Sequence, residues 1–221
     1  MGKTGNFLSG VRILEEVESP INGKLTVIRD LAWGVHIKAD GVTQSGGVAE
    51  IVWRSSLKEV KKVNSEVNKC LILGLGGAGA AKVIRRNWSK IVITGVEIDP
   101  IMIDLGEKYM GLKESDVEVV IEDAMKFVKR QTKKGEKYDL ILVDMYIGDT
   151  IPEKFETLSF YNLVKKLLEK KGVVVVNRLY YDEKRKLADR THHDLKKIFS
   201  EVVTVFPEAN VMFICSKDFS N

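Results

Sequence analysis

The 221-residue sequence has little cysteine and no long apolar run. Its two cysteines, Cys70 and Cys215, each lie in a short apolar segment, and we expect them to be buried thiols in a reducing compartment. No apolar stretch approaches the roughly 20 residues that a membrane-spanning helix needs, and the first residues do not resemble a secretory signal. These absences predict a cytoplasmic protein without a membrane anchor.

The sequence also lacks a strong excess of charge of either sign. Lysine and arginine together number 35 against 31 acidic residues, which gives a net charge of +4. Acidic residues are scattered among the basic ones, and no basic stripe carries the interleaved aromatic side chains that stack on nucleic-acid bases. The sequence has neither metal-ligand spacing nor a nucleophile–base pair. We therefore expect no nucleic-acid partner and no bound metal.

A glycine-rich turn at residues 74–79 organises what is present. Residues 69–73 before it are apolar, as in a strand that is buried on both faces, and residues 80–88 after it have helical character. The glycines follow the pattern Gly74-x-Gly76-x-x-Gly79. A strand, a glycine turn and a helix open a nucleotide-binding βαβ unit, because glycine lets the backbone turn tightly and approach the ligand. The alternative is a glycine turn that serves packing alone.

Three acidic residues close successive predicted strands. Glu97 follows the apolar run 91–96, about 20 residues after the glycine turn, where such a unit places a ribose-binding acid. Asp123 and Asp144 end the next two strands. Because the carboxyl ends of parallel strands meet at the edge where ligands bind, we expect the three carboxylates at one site. Each acid taken alone is also explained as a helix cap, but three in series favour the site.

The order of the elements predicts two domains. Residues 1–62 are predicted to form a small β-rich lobe, frayed up to about residue 17, and residues 63–221 an α/β domain. Five alternating strands would also suit NAD, but the chain closes with an antiparallel hairpin at residues 202–206 and 211–215. This ending resembles the class I S-adenosylmethionine-dependent methyltransferase fold, a Rossmann-like seven-stranded sheet with a C-terminal antiparallel hairpin.

Residues 19–217 resemble the spermidine synthases and their methyltransferase relatives. The motifs that carry the resemblance are residues 39–45 (Ala-Asp-Gly-Val-Thr-Gln-Ser), the glycine turn, residues 96–100, residues 122–124 and residues 138–144. The resemblance implies S-adenosylmethionine or its decarboxylated form as cofactor, with Glu97 on the ribose and Asp123 and Ala124 on the adenine. The predicted cofactor-binding residues are Gln44, Arg54, Gly74, Leu75, Gly76, Gly79, Glu97, Ile98, Asp123, Ala124 and Asp144.

The departures from the family pattern concern the donor's tail and the acceptor. The aminopropyltransferases carry an Asp at the position of Gly77, which neutralises the free amine of decarboxylated S-adenosylmethionine. The second acid of their Asp-Ser-Ser-Asp sequence is Ile147 here, and Asp149 comes two residues late. A methionine tail carries a carboxylate and favours a cation, which Arg54 offers. The alternative for Arg54 is a solvent-facing residue of a helix. These changes favour methyl transfer from S-adenosylmethionine over aminopropyl transfer from the decarboxylated form.

We expect an enzyme in which Asp144 orients an amine and accepts its proton. Tyr146 is predicted to line the acceptor pocket, although an ordinary loop aromatic explains it as well, and residues 148–156 are predicted to close over the site. The acceptor is a small-molecule amine or a protein amine. Two alternatives remain: a polyamine aminopropyltransferase, and a catalytically silent module that binds the nucleoside and serves interactions. The resemblance also suggests a homodimer formed through the N-terminal lobe.

Overall fold

The computed structural model describes residues 10–217, and within them two β-sheets and six α-helices. The first sheet, called the lobe sheet, is antiparallel in the order β1-β2-β3-β4. Its strands are β1 (Val11–Ser19), β2 (Gly23–Asp30), β3 (Gly34–Ala39) and β4 (Val42–Gly46). The predicted β-rich N-terminal lobe is therefore present.

Strand β1 corrects the expectation that the chain frays up to about residue 17. It pairs with β2 from Val11 opposite Asp30 to Ser19 opposite Gly23. Most of its side chains are exposed or half-buried, so the sequence lacks the apolar alternation that predicts a strand. Residues 1–9 of the expected frayed segment lie outside the described residues.

The second sheet has seven strands in the order β10-β11-β9-β8-β5-β6-β7. Strand β11 runs antiparallel to both of its neighbours, and the other neighbouring strands are parallel. This confirms the predicted seven-stranded sheet with a C-terminal antiparallel hairpin. The strands are β5 (Lys69–Leu73), β6 (Val92–Glu97), β7 (Val117–Ile121), β8 (Tyr138–Val143), β9 (Leu168–Leu179), β10 (Glu201–Val205) and β11 (Asn210–Ser216).

The six helices cover the two faces of this sheet. They are α1 (Val48–Val63), α2 (Gly79–Asn87), α3 (Pro100–Tyr109), α4 (Ala124–Lys134), α5 (Leu158–Lys166) and α6 (Lys184–Ile198), with short 3₁₀ turns at Lys113–Ser115 and Glu153–Phe155. None of the helices within residues 10–217 is both long and apolar enough to cross a membrane.

Alternate residues of the central strands supply two hydrophobic cores. Ile72 points to a core that also holds apolar residues of α1, α2, α3 and the lobe sheet, whereas Leu71 points to a core with α4, α5 and α6. Cys70 and Cys215 are free, fully buried thiols, one in each core, and burial raises the pKa of both. Because the lobe sheet shares a core with the larger sheet, the boundary at residues 62 and 63 stays a prediction.

A buried polar cluster fixes the lobe against the end of β6. Asp99 has no exposed surface, and its Oδ2 accepts hydrogen bonds from Ser19 Oγ and from Asn22 Nδ2, the latter at 2.6 Å. Its Oδ1 accepts from the backbone N–H of Ile101 at 3.0 Å and so caps helix α3. One carboxylate therefore orients both the lobe and the first turn of α3.

The glycine turn leaves β5 in a backbone conformation that requires Gly74. This residue has φ of +84°, and a Cβ there would lie 2.0 Å from the carbonyl oxygen of Asp144. Gly135, which ends α4, has a similar φ of +75° but nothing within 4 Å of a Cβ. The two positions therefore separate the cost of the backbone conformation from the cost of crowding.

We expect Gly135→Ala to lower the free energy of unfolding by about 1 kcal/mol, the cost of a left-handed alanine. Gly74→Ala adds overlap with a backbone carbonyl and should lower it by at least about 3 kcal/mol. Urea unfolding of both variants measures the difference. Equal losses would contradict the close approach of β5 and β8 at this turn.

Candidate active site

A cavity of about 310 Å³ opens at the carboxyl ends of the central strands. Gly74, Glu97 and Asp144 line it at or directly after the ends of β5, β6 and β8, and Asn177 lines it two residues before the end of β9. The lobe sheet, helix α1 and residues 145–155 supply its walls. A cavity of this volume in this position is typical of a small-molecule site in an open α/β sheet.

Glu97 is a buried carboxylate held by backbone donors. Its Oε2 accepts from the N–H of Gly76 at 2.9 Å, and its Oε1 accepts from the N–H of Ile98 at 2.8 Å and of Asp99 at 3.1 Å. Burial raises the pKa of this carboxyl above its usual value, and the backbone hydrogen bonds oppose that shift. A carboxylate has about four lone-pair positions, so at least one remains for a hydroxyl group in the cavity. The residue therefore fits a ribose.

Asp123 also lines the cavity, and its two carboxylate oxygens have different partners. Its Oδ1 accepts from the N–H of Lys126 at 3.1 Å, which caps α4, and its Oδ2 pairs with Lys154. Burial raises the pKa of this carboxyl, but the hydrogen bond and charge of Lys154 and the backbone donors outweigh burial and lower the pKa overall. Ile98 and Ala124 line the cavity here and provide an apolar surface for a base. Asp123 thus caps α4 and also lines the cavity, and its contact with an adenine stays a prediction.

Asp144 is the carboxylate with two side-chain donors. Trp53 Nε1 donates to its Oδ2 at 3.2 Å, and Asn177 Nδ2 donates to its Oδ1 at 2.8 Å. Asn210 Nδ2 in turn donates to Asn177 Oδ1 at 2.8 Å, which fixes the orientation of that amide. Desolvation raises the pKa of Asp144 to about 6, against the two hydrogen bonds that lower it. A carboxyl with this pKa is ionised at neutral pH and is basic enough to take a proton.

Tyr146 lies next to Asp144 in the cavity wall, and its phenol oxygen accepts from the N–H of Leu179 at 2.7 Å. Burial raises the pKa of the phenol, so it stays protonated at neutral pH. The side chain is fixed between β8 and β9, where it can shape the site. The contact of Tyr146 with an acceptor stays a prediction.

Some of the remaining predicted residues line the cavity, and others lie outside its lining. Gln44, Gly74, Gly76 and Ile98 line the cavity. Gln44 Nε2 also donates to the carbonyl oxygen of Gly148 at 2.8 Å, so the lobe holds the loop that was predicted to close over the site. Leu75 is buried against Gly95 and is not among the residues that line the cavity.

Gly79 lies on the side of the glycine turn that contacts Ser45 of the lobe sheet. The hydroxyl of Ser45 accepts from the N–H of Gly77 at 3.0 Å and from those of Ala78 and Gly79 at 3.3 Å. Gly79 itself does not line the cavity. The lobe sheet therefore occupies the backbone donors at the start of α2.

Arg54 is exposed and lies outside the cavity lining, contrary to its predicted role at the cofactor. Helix α1 turns the face with Val52, Trp53 and Leu57 toward the core, and Arg54 lies on the solvent side. The cation expected to meet a methionine carboxylate is therefore absent from the cavity wall formed by α1. Its neighbour Trp53 contacts Asp144 instead.

Two residues of the site were not predicted. Asn177 follows the apolar run 173–176 at the end of β9, so the strand-end pattern that singled out Glu97 would also have found it. Trp53 carries no such signal, because only the rotation of α1 brings its indole to Asp144.

The spermine/spermidine synthase domain matches residues 54–217. The chain belongs to this family. The resemblance stated from the sequence is thereby confirmed, and the match includes Glu97, Asp123 and Asp144.

Two relatives in sequence and one solved structure show which known proteins the chain resembles. A polyamine aminopropyltransferase of Vibrio vulnificus is 33% identical over 139 residues, 62% of this chain and 46% of the relative. A Drosophila melanogaster homologue of the eEF1A lysine and N-terminal methyltransferase is 29% identical over 157 residues, 67% of this chain and 23% of the relative. This chain thus spans less than half the length of either. The spermidine synthase of Thermotoga maritima has the same fold, with a TM-score of 0.78 at 20% identity over 95% of this chain and 74% of that one.

Proposed function

We propose that the chain transfers a methyl group from S-adenosylmethionine to an amine. The observation that carries the proposal is Asp144, whose pKa is raised to about 6 and whose two oxygens are fixed by Trp53 and Asn177, in the same cavity as the buried Glu97. One end of the cavity is suited to a nucleoside and the other to proton transfer. The chain would therefore be an enzyme of the transferase class.

The residues have separate tasks in this reaction. Glu97 holds the ribose hydroxyls, while Asp123, Ile98 and Ala124 face the adenine. A sulfonium donor supplies an electrophilic carbon that needs no further activation. Asp144 orients the amine nitrogen and takes the proton that the amine loses as its bond to carbon forms and the carbon–sulfur bond breaks. Closure of the loop held by Gln44 excludes water.

Two features support the intact methionine donor over its decarboxylated form. A Cβ at Gly77 would lie 2.6 Å from Met110 Sδ, 2.8 Å from Ile37 Cδ1 and 3.3 Å from Ser45 Oγ, so this position has no room for the acid of the aminopropyltransferases. Asp149, which comes two residues after the position of the family's second acid, forms an ion pair with Lys184, with Nζ 2.8 Å from Oδ2. Both changes remove negative charge that a free amine or a polyamine would need.

Aminopropyl transfer to a polyamine is the second candidate. The names of several relatives and the retained Asp144 favour it. Loss of the predicted Arg54 contact removes one reason for preferring methyl transfer. The choice between the two rests on the missing acid at Gly77 and on the pairing of Asp149 with Lys184.

The donor preference is tested by incubating the purified chain with each labelled donor and an amine pool from cell extract. We expect S-adenosylhomocysteine from S-adenosylmethionine at least about 10-fold faster than methylthioadenosine from the decarboxylated donor, the discrimination of one missing charge-paired contact. Arg54→Ala should leave this ratio unchanged, because the side chain is exposed and outside the cavity. Turnover of 1,4-diaminobutane with the decarboxylated donor would establish the second candidate instead. Nucleoside binding without either product would indicate the silent interaction module.

A further inference from the structure

A second, smaller cavity of about 110 Å³ adjoins the first at its acceptor end. Tyr146 and Leu179 line both cavities, so the second one begins where the proposed amine site ends. Its other walls come from residues 149–151, from Glu156 and Arg178, and from Lys184 and Leu187 at the start of α6. The reaction proposed above does not use this space.

Arg178, which lines this cavity, has a buried donor that makes no hydrogen bond to the described residues. The residue is only 3% exposed, and its Nη2 pairs with Glu156 Oε1. Its Nη1 is buried and has no hydrogen-bond partner within residues 10–217. A buried donor without a partner costs about 1–3 kcal/mol, and more when it is charged. The cost falls if a ligand brings an acceptor oxygen to this nitrogen.

The charged side chains around the cavity are already paired with one another. Arg178 is paired with Glu156, and Lys184 is paired with Asp149, so the four charges cancel. A second ammonium group, as in a polyamine, would bring an uncompensated positive charge next to a guanidinium. An oxygen acceptor would instead complete the hydrogen bonding of Nη1.

We propose that the second cavity binds an acyl oxygen of the acceptor, as a carboxylate or an amide, through Arg178 Nη1. The acceptor is then an amine that bears an acyl group a few atoms away, in the manner of an amino acid or a peptide. Its nitrogen lies at Asp144 and its acyl group passes Tyr146 to reach Arg178. This inference rests on the proposed function and narrows its substrate class.

Three compounds with the same four-atom spacing test the inference: 4-aminobutanoate, 4-aminobutanamide and 1,4-diaminobutane. Their affinities are measured by calorimetry on the full chain saturated with S-adenosylhomocysteine. We expect both acyl compounds to bind at least about 10-fold more tightly than the diamine, the effect of one hydrogen bond from a charged donor. Tightest binding by the diamine overturns the inference.

Arg178→Met should abolish the preference for acyl compounds while the affinity for S-adenosylhomocysteine stays within about twofold. Arg86→Met is the matched control, since this arginine is 61% exposed and lies on α2 outside both cavities. Unchanged acyl binding in Arg178→Met overturns the inference.

Glu156→Gln provides an independent test if the Arg178 variant does not fold. It removes the negative charge from the Arg178 pair, so the affinity for 4-aminobutanoate should rise about 10-fold relative to 4-aminobutanamide. No change in that ratio overturns the inference. If the wild-type chain does not bind S-adenosylhomocysteine, the proposed function fails together with it; binding of the nucleoside without acyl preference overturns only the second cavity's role.

Discussion

Replacing Glu97 with alanine is expected to weaken the binding of S-adenosylhomocysteine and of methylthioadenosine by about 100-fold each. Both compounds contain the same ribose, and hydrogen bonds from its hydroxyls to a buried carboxylate are of the strong, charge-assisted kind. Because Glu97 is buried and already oriented by three backbone donors, it needs no rearrangement to receive them. Isothermal titration calorimetry measures both affinities.

Glu118→Ala serves as the control for this variant. Glu118 lies on the neighbouring strand β7, is exposed and does not line the cavity, so its removal should change affinity by less than about twofold. Thermal unfolding of both variants confirms that the site is still folded. Equal affinities of Glu97→Ala and wild type would show that the nucleoside binds elsewhere and would remove the basis of the proposed function.

Replacing Asp144 with asparagine is expected to lower the rate of transfer by about 10²–10⁴-fold, the usual contribution of a general base. Asparagine keeps the size of the side chain but does not accept a proton. Single-turnover measurements with saturating donor and acceptor separate this loss from weaker binding. A variant with the wild-type rate would assign proton removal to solvent.

The same variant should have a pH-dependent effect on stability. The pKa of Asp144 rises from 3.8 to about 6 on folding, so the carboxyl favours the folded state below about pH 4 and loses that contribution as the pH rises through 6. Asparagine does not titrate. The stability of the variant relative to wild type should therefore increase between pH 4 and pH 7, by about 2 kcal/mol. Urea unfolding at the two pH values tests the sign.

The hydrogen bond from Trp53 offers a second test of Asp144 as general base, through the pH dependence of kcat/KM. Donation to Asp144 Oδ2 lowers the pKa of the carboxyl, so Trp53→Phe should raise it. For an acceptor amine of fixed pKa, the rise of kcat/KM with pH should move from about 6 to higher pH in this variant. A merely structural role for Trp53 would lower the rate without moving the inflection.

Much of the fold could be predicted because the α/β domain repeats one simple pattern. The apolar runs before Glu97 and Asp144 are buried strands, and the run before Asp123 is the half-exposed edge strand β7. Because the three strands are parallel, their carboxyl ends must meet at one edge. The closing hairpin then distinguished this sheet from a dinucleotide-binding one. These inferences depend on short-range periodicity and on topology, which the sequence carries directly.

The rest depended on contacts between distant elements. Whether Trp53 or Arg54 faces the interior is decided by the rotation of α1 against the core, and the two differ by one position along a helix. Strand β1 is specified by its pairing with β2 rather than by its own pattern. The burial of the charged Arg178 side chain could not be predicted from the sequence, because it depends on the ion pair with Glu156 on another element. Single-residue patterns do not contain such information.

The hydroxyl of Ser45 has a consequence for the choice of ligand. In dinucleotide-binding enzymes the amides that open the helix after a glycine turn face a pyrophosphate. Here one buried oxygen already satisfies three of them, at Gly77, Ala78 and Gly79. A phosphate would have to displace the lobe sheet to reach these amides. This arrangement disfavours a phosphorylated cofactor at the glycine turn, and it is compatible with the proposed adenosine derivatives, which carry no phosphate at the 5′ position.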